Sequence, residues 1–320
     1  MRHYIRFDKR KKLKLIFLDI FLIATLVLGN YIVTYLVPQN TSKISAVSND
    51  LNTTVNLADV DFSKKFSDKF SNKIVKTKNS YKSPNLSIDI IKKSVGKGRK
   101  KVNYYIADFY IANLNCLQSY FADNTYGVGY KEPLKQMSQI NSALTSINGD
   151  SYSNNRHKES GTIIRNGVVY RNQSTNADTC VLYNNGEMEV FSPGTFDLNK
   201  AEAKGVYQTW IFGPNLLDRN GNPLKSFNTW DYIRKKHART AIGYYEPGHY
   251  CFLVCDKDKD GKGGLDLNQM ANIFKNLGCK AAYNLDGGHS SAMTFGNKVV
   301  NKPQRDNFKV SDGILVREVN

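Results

Sequence analysis

The sequence is short of acid. Its 320 residues carry 45 Lys and Arg against 28 Asp and Glu, a formal net charge of +17 with a pI near 9.5. So basic a balance makes polyanions the natural neighbours: nucleic acid, anionic lipid or a phosphate-bearing polymer. It says nothing about fold. Cysteine is sparse as well. The five, Cys116, Cys180, Cys251, Cys255 and Cys279, form no C-x-x-C pair, and their spacing resembles no zinc site. An odd count leaves at least one free thiol in an extracellular domain. They read as small buried hydrophobes, with Cys251, Cys255 and Cys279 as candidate neighbours in a sheet. Internal repeats are absent, which removes solenoids from consideration.

What the sequence does have begins at its N-terminus. Residues 1–14 are basic, with Arg2, Arg6, Lys9, Arg10, Lys11, Lys12 and Lys14. Residues 15–37 are almost wholly apolar, broken by Asp19 and Asn30. That is about the 20 residues a helix needs to cross a bilayer. The run shows no polar face, unlike a surface helix of a globular protein. The preceding cluster predicts a cytoplasmic N-terminus. A cleaved signal peptide has a shorter apolar core and a small-x-small site, and Val37-Pro38-Gln39-Asn40 supplies neither. The expectation is an uncleaved signal anchor: a single pass through the cell membrane, with the rest of the chain extracellular. Residues 38–85 are rich in Ser, Asn, Lys, Asp and Thr and read as a polar stalk. Within them, Phe62, Phe66 and Phe70 are spaced by four and allow one short amphipathic helix.

Residues 86–320 read as the folded domain. The chain's 19 Tyr and 16 Phe fit a sheet-rich core. Leu86–Ile90 and Val102–Ile111 predict a hairpin around the basic turn Lys97–Lys101. Asn166-Gly167 and Asn184-Asn185-Gly186, each between apolar runs, predict two more. Leu134, Met137, Ile140, Ala143 and Leu144 have helical spacing, as do Leu267, Met270, Ala271, Phe274 and Leu277, with Gly278 as cap. The expected class is α+β: a mixed, mostly antiparallel sheet core with a few packed helices, preceded by one N-terminal transmembrane helix.

One stretch concentrates chemistry. Tyr283-Asn284-Leu285-Asp286-Gly287-Gly288-His289-Ser290-Ser291 ends an apolar strand and then sets a carboxylate, two glycines, an imidazole and two hydroxyls within six residues. Paired glycines cost backbone entropy and are kept where something approaches the chain closely or φ is positive. A bare turn needs one Gly and a polar neighbour. A second stretch, Asp256-Lys257-Asp258-Lys259-Asp260-Gly261, imitates the start of a calcium loop. Leu267 occupies its twelfth position where a bidentate acid belongs, so it reads as a charged turn, with calcium at Asp256, Asp258 and Asp260 as the minor alternative. No metal or other cofactor is expected.

Four segments in order, Ile147-Asn148-Gly149-Asp150, Arg239-Thr240-Ala241-Ile242-Gly243, Leu277-Gly278-Cys279 and Asn284–Ser291, resemble the phosphodiester glycosidase family. The flanks Asp260-Gly261-Lys262 and Gly264-Leu265-Asp266-Leu267 fit too, and the resemblance runs from about Leu86 to the C-terminus. One departure is His289, where relatives commonly carry Gly. The resemblance implies hydrolysis of the bond between a sugar's anomeric carbon and a phosphodiester oxygen. A phosphate leaves easily and needs charge stabilisation more than protonation. Arg239 would bind it through its guanidinium fork, and the N–H groups around Gly287 and Gly288 would form an anion nest. A carboxylate faces the oxocarbenium-like sugar: Asp286 first, with Asp150 as partner, acting as base on water or as nucleophile. His289 would serve as acid or base, or stand solvated. Asn148, Gly149, Thr240, Asn284, Ser290 and Ser291 would position sugar hydroxyls or phosphate oxygens.

The reading is therefore a membrane-anchored extracytoplasmic hydrolase of sugar-1-phosphodiesters, acting on a phosphate-bearing cell-surface, exopolysaccharide or wall glycan. The alternative is a non-catalytic glycan- or wall-binding module on the same fold. Nucleic acid fits the charge but lies on the wrong side of the membrane.

Overall fold

The computed structural model describes residues 9–31, 41–44, 60–152 and 160–319. The chain divides into two units, residues 1–41 and 42–320. The first contains one helix, Lys9–Tyr31, whose window Leu13–Asn30 has a mean hydropathy of 2.0 and is long and apolar enough to cross a membrane. Residues 32–37 of the expected span lie outside the described residues.

The second unit is α+β and every strand pairing in it is antiparallel. Its central sheet has seven strands in the order Ala281–Asn284, Arg239–Glu246, His249–Cys255, Val102–Ile111, Leu86–Val95, Ser80–Lys82, Val75–Lys76. Side chains alternate along each strand, so the sheet carries two different faces. Tyr105, Ala107, Phe109, Tyr250, Phe252 and Ile242 point to one face, where they meet Ile147, Ile314 and Val316 of a second sheet and Cys180, Leu182 and Trp210 of a third. Ile106, Cys251, Leu253 and Ala282 point to the other, under the helix Leu267–Leu277 through Met270, Ala271 and Phe274. The second sheet is five-stranded: Lys298–Val299, Met293–Phe295, Ala143–Asn148, Asp312–Arg317, Leu117–Phe121. The third joins Met188–Phe191, Thr179–Tyr183 and Val206–Trp210.

Local signals were mostly met. Asn166 and Gly167 turn with positive φ between Ile163–Arg165 and Val168–Arg171. The helix expected near 134 spans Leu134–Ile140, and Ala143 and Leu144 belong instead to the following strand. All five cysteines are buried free thiols, and Cys251 Sγ lies 3.8 Å from Cys279 Sγ.

The stalk is shorter than expected. Ser80–Lys82 pairs with Leu86–Val95, and Val75–Lys76 extends the sheet beyond it. Phe62 and Phe66 are only 6% and 7% exposed. Phe62 sits over Gly186 and Gly248, where a Cβ would come within 2.7 Å of its ring. The expected amphipathic helix is a set of turns, with Phe66 N–H reaching Phe62 O at 3.2 Å. Composition misleads here because two phenylalanines in a polar run find their core among residues far along the chain.

Replacing Phe62 by Ala should cost about 3 kcal/mol of unfolding free energy, since it empties a packed site. Ile74→Ala, at a residue 70% exposed, should change stability by less than about 0.5 kcal/mol. Denaturant titration of both variants measures the difference; a stalk would leave both silent.

Candidate active site

The strand Ala281–Asn284 forms one edge of the central sheet, and Leu285 to Ser291 leave its end. The strand Ala143–Asn148 of the second sheet ends beside it and delivers Gly149 and Asp150. Main-chain bonds join the two exits: Asp286 N–H donates to Gly149 O at 3.2 Å, and Gly149 N–H to Asp312 O at 3.0 Å. Gly149 has to be glycine, because a Cβ there would stand 2.8 Å from Asp312 Oδ1. Asn148 ties the junction. Its Nδ2 donates to Asp286 O at 2.7 Å, while its Oδ1 accepts from Thr240 Oγ1 at 2.7 Å and Ala292 N–H at 3.2 Å. The Asn284 amide donates to Gly213 O at 2.7 Å.

Asp286 is half-buried at the centre of this arrangement. Its Oδ1 accepts Gly287 N–H at 2.9 Å and its Oδ2 accepts Ser290 Oγ–H at 2.7 Å. Both bonds favour the carboxylate, and so does the charge of Lys131. Desolvation outweighs them, aided by the charge of Asp150, and pushes the carboxyl up to about 6. A carboxyl so placed exchanges a proton near neutral pH.

The residues singled out in the sequence do meet in space, and several of them are engaged by protein atoms. Asp150, expected as the second catalytic carboxylate, is fully buried. Its oxygens accept Ile211 N–H at 3.0 Å, Phe212 N–H at 3.1 Å and Arg165 Nη2–H at 3.1 Å. Arg165 also binds Asp312 Oδ2, at 2.6 Å through Nη2 and 3.1 Å through Nε. One guanidinium thus lies between two buried acids, and burial raises the pKa of both, Asp312 to about 7. Arg239, expected as the phosphate fork, gives two of its three guanidinium nitrogens to protein carbonyls. It is buried, with Nε donating to Leu265 O at 3.0 Å and Nη2 to the carbonyls of Ile233 and Lys235. Burial lowers its pKa to about 10. The expected anion nest is closed as well, because Gly287 N–H serves Asp286 and Gly288 N–H serves Ala238 O at 2.8 Å. Asn148 and Thr240 bond each other rather than face outward.

What stays available is smaller and different. Ser291 Oγ and Asn284 Oδ1 are buried without a hydrogen-bond partner among the described residues. His289 is half-buried, its ring 5.7 Å from that of Phe308 at 28°. Burial first, then the charges of Arg305 and Lys257, hold its pKa below the usual histidine value. The imidazole is therefore neutral at neutral pH. The sequence reading missed Arg165 and Asp312 and the cations Lys131, Lys257 and Arg305. A signal for the first pair existed: Arg165 ends the apolar strand Ile163–Arg165, and Asp312 begins Asp312–Arg317, so each charge was due to be buried with a partner. The acids of the calcium-like stretch go separate ways. Asp256 accepts Lys302 N–H, Asp258 accepts Lys262 N–H, and Asp260 pairs with Arg99. Among the described residues no group of three His, Cys, Asp or Glu is placed to hold a metal.

Comparison with known proteins adds the following. The family model described as phosphodiester glycosidase matches residues 141–317. The SPbeta prophage-derived uncharacterized protein YomE of Bacillus subtilis (strain 168) is 27% identical over 193 residues, which is 59% of this chain and 29% of that protein. The aligned region thus spans less than a third of that relative's length. Among solved structures, the catalytic domain of zebrafish N-acetylglucosamine-1-phosphodiester alpha-N-acetylglucosaminidase, auto-inhibited by its pro-peptide, superposes with a TM-score of 0.61, 19% identity and 88% coverage of both chains. A hypothetical protein from Synechocystis superposes at 0.55 with 13% identity, covering 73% of this chain and 62% of that one. At these identities the structural likeness shows a shared fold.

The two buried acids at Arg165 set a pH dependence of stability. Asp312 has its folded pKa raised to about 7 from 3.8, so between those values the folded state holds a proton that the unfolded chain has released. Its contribution is full below about pH 4 and is lost as pH rises through about 7. Unfolding free energy should therefore fall across that window, and Asp312→Asn should flatten the fall. Denaturation midpoints from pH 4 to 8 check this; Asp150, Asp178, Asp256 and Asp286, raised in the same direction, contribute to the slope that remains.

Proposed function

The chain belongs to the phosphodiester glycosidase family, and on that premise we propose that it hydrolyses the glycosidic bond of sugar-1-phosphodiesters. Asp286 carries the reading: a half-accessible carboxyl raised to about 6, held at a sheet edge by Asn148 and Gly149. The reaction adds water across the bond between the anomeric carbon and the ester oxygen. The products are a free sugar and a phosphomonoester. The leaving group is a stabilised anion, so it departs without a strong acid. Ionised Asp286 faces the cationic sugar carbon, as base towards water or as nucleophile. Ser290 and Gly287 hold its two oxygens in place. With Arg239 buried, the phosphate's charge falls to the cations whose fields reach the site: Lys131 at Asp286, and Arg305 and Lys257 at His289. Neutral His289 relays the proton released as water adds.

The setting follows from the N-terminal helix and the charge. With Leu13–Asn30 as an anchor, the domain would work outside the cytoplasm on a surface glycan, and a net charge of +17 suits a phosphate-rich wall or capsular polymer. The zebrafish neighbour is named for an N-acetylglucosamine-1-phosphodiester, which makes that sugar the first substrate to try.

Release of free N-acetylglucosamine from a synthetic sugar-1-phosphodiester tests the reading. Asp286→Asn should lower kcat/KM by about 10²-fold or more. In the parent chain kcat/KM should fall as pH drops through about 6, where Asp286 takes up its proton. Ser290→Ala removes a bond to the carboxylate and should move that limb to higher pH. Ligand binding without turnover, unaltered in Asp286→Asn, would leave the glycan-binding module as the correct description.

A further inference from the structure

We propose that the cleft between residues 174–177 and the turn at 228–230 is a saccharide-binding subsite. It would take one neutral sugar ring of the glycan whose phosphodiester Asp286 cleaves, and so it rests on the reading above. The cleft has a volume of about 400 Å³, within the roughly 300–1,000 Å³ of small-ligand sites.

Its chemistry selects the ligand. Ser160, Ser174, Thr175, Asn176 and Asn228 offer hydroxyls and amides, Trp230 closes one side, and no described lining residue carries a formal charge. In a chain with a net charge of +17, the described residues of the wall offer no cation to a phosphate. Hydroxyls and amides both donate and accept, which matches the hydroxyls of a sugar. Trp230 and Tyr232 are 53% and 52% exposed, the two aromatic side chains left exposed among the described residues of the folded unit. Their ring centroids lie 5.6 Å apart, with the planes at 58°. An amphipathic ring beside polar groups suits a sugar, whose ring has an apolar face and a polar rim.

The walls are fixed and tied to the catalytic strands. Asn228 Nδ2 donates to Asn176 O at 2.8 Å and so joins the two sides. The turn carrying Trp230 continues into Asp231–Arg234, where Ile233 is buried and returns its N–H to Trp230 O at 2.9 Å. Arg239 grips the carbonyls of Ile233 and Lys235, so its guanidinium holds this turn against its own strand. On the other side Asp178, which follows Asn176 and Ala177, takes Tyr283 O–H on its carbonyl at 2.5 Å. Tyr283 lies three residues before Asp286.

The chain has two tryptophans, Trp210 fully buried and Trp230 half-exposed, so a ligand-dependent change in emission reports on Trp230. Tetrasaccharides of N-acetylglucosamine and of glucose, titrated to about 10 mM into the whole chain, should give a saturable change, and inorganic phosphate none. Asn176→Ala should weaken binding roughly 2- to 10-fold through one lost hydrogen bond. Trp230→Ala, followed by calorimetry, should weaken it about 10-fold or more, with an unchanged melting temperature showing that the fold is intact. Emission unmoved by both tetrasaccharides, equal binding of phosphate, or full affinity in Trp230→Ala would overturn the subsite. Binding by a chain that never cleaves a sugar-1-phosphodiester would overturn the Asp286 reading and keep the subsite; cleavage without binding would do the reverse.

Discussion

The side-chain amide of Asn148 holds the functional end of this molecule together. It satisfies a carbonyl at Asp286, a hydroxyl at Thr240 and an amide at Ala292, and thereby joins the ends of two sheets that share a core. Both halves of the amide are used, so nothing else of similar size would serve. Aspartate lacks the donor, and leucine lacks everything polar. Because the bonds are buried, a missing partner would cost the desolvation of whatever it left behind. The position of Asp286 is therefore set by packing between sheets rather than by its own turn.

Charge is handled with similar economy. Three arginines are buried among the described residues of the folded unit and held by protein atoms, Arg165 between Asp150 and Asp312, Arg171 and Arg239 among carbonyls. Burying a charge costs several kcal/mol unless it is paired or well hydrogen-bonded, and here the bonds reach across elements far apart in sequence. Arg165 draws the hairpin at 163–171 to the strand Asp312–Arg317, and Arg239 draws the turn at 233–235 to the central sheet. The cations whose charges act on Asp286 and His289 are the less buried Lys131, Lys257 and Arg305.

The sequence made the hairpins legible because Asn166-Gly167 and Asn184-Asn185-Gly186 are local devices, and the helix Leu267–Leu277 because its apolar period, its Asp266 cap and Gly278 agree. It also made legible which segments meet: Asn148–Asp150, Arg239–Thr240 and Asn284–Ser291 do converge. It did not reveal which atoms of those segments stay unspent. Whether a guanidinium faces phosphate or a carbonyl depends on Leu265, Ile233 and Lys235, and nothing local to Arg239 announces them. The same holds for Phe62 and Phe66, whose core lies near Gly186 and Gly248. Long-range partners decide both cases, and residue pattern carries no record of them.

The poise of Asp286 is a further product of tertiary structure. Ser290 and Gly287, its neighbours in the motif, both stabilise the charged carboxylate and alone would draw its pKa down. The upward shift comes from the surrounding protein, which strips water from the carboxyl, and from Asp150 beyond it. The motif thus supplies orientation, and the closure between the two sheets supplies the raised pKa. A turn with the same residues on an open surface would keep both hydrogen bonds and hold an ordinary, fully ionised aspartate. That is why Asn148, itself buried, matters as much to the poise of Asp286 as the two residues that bond its carboxyl.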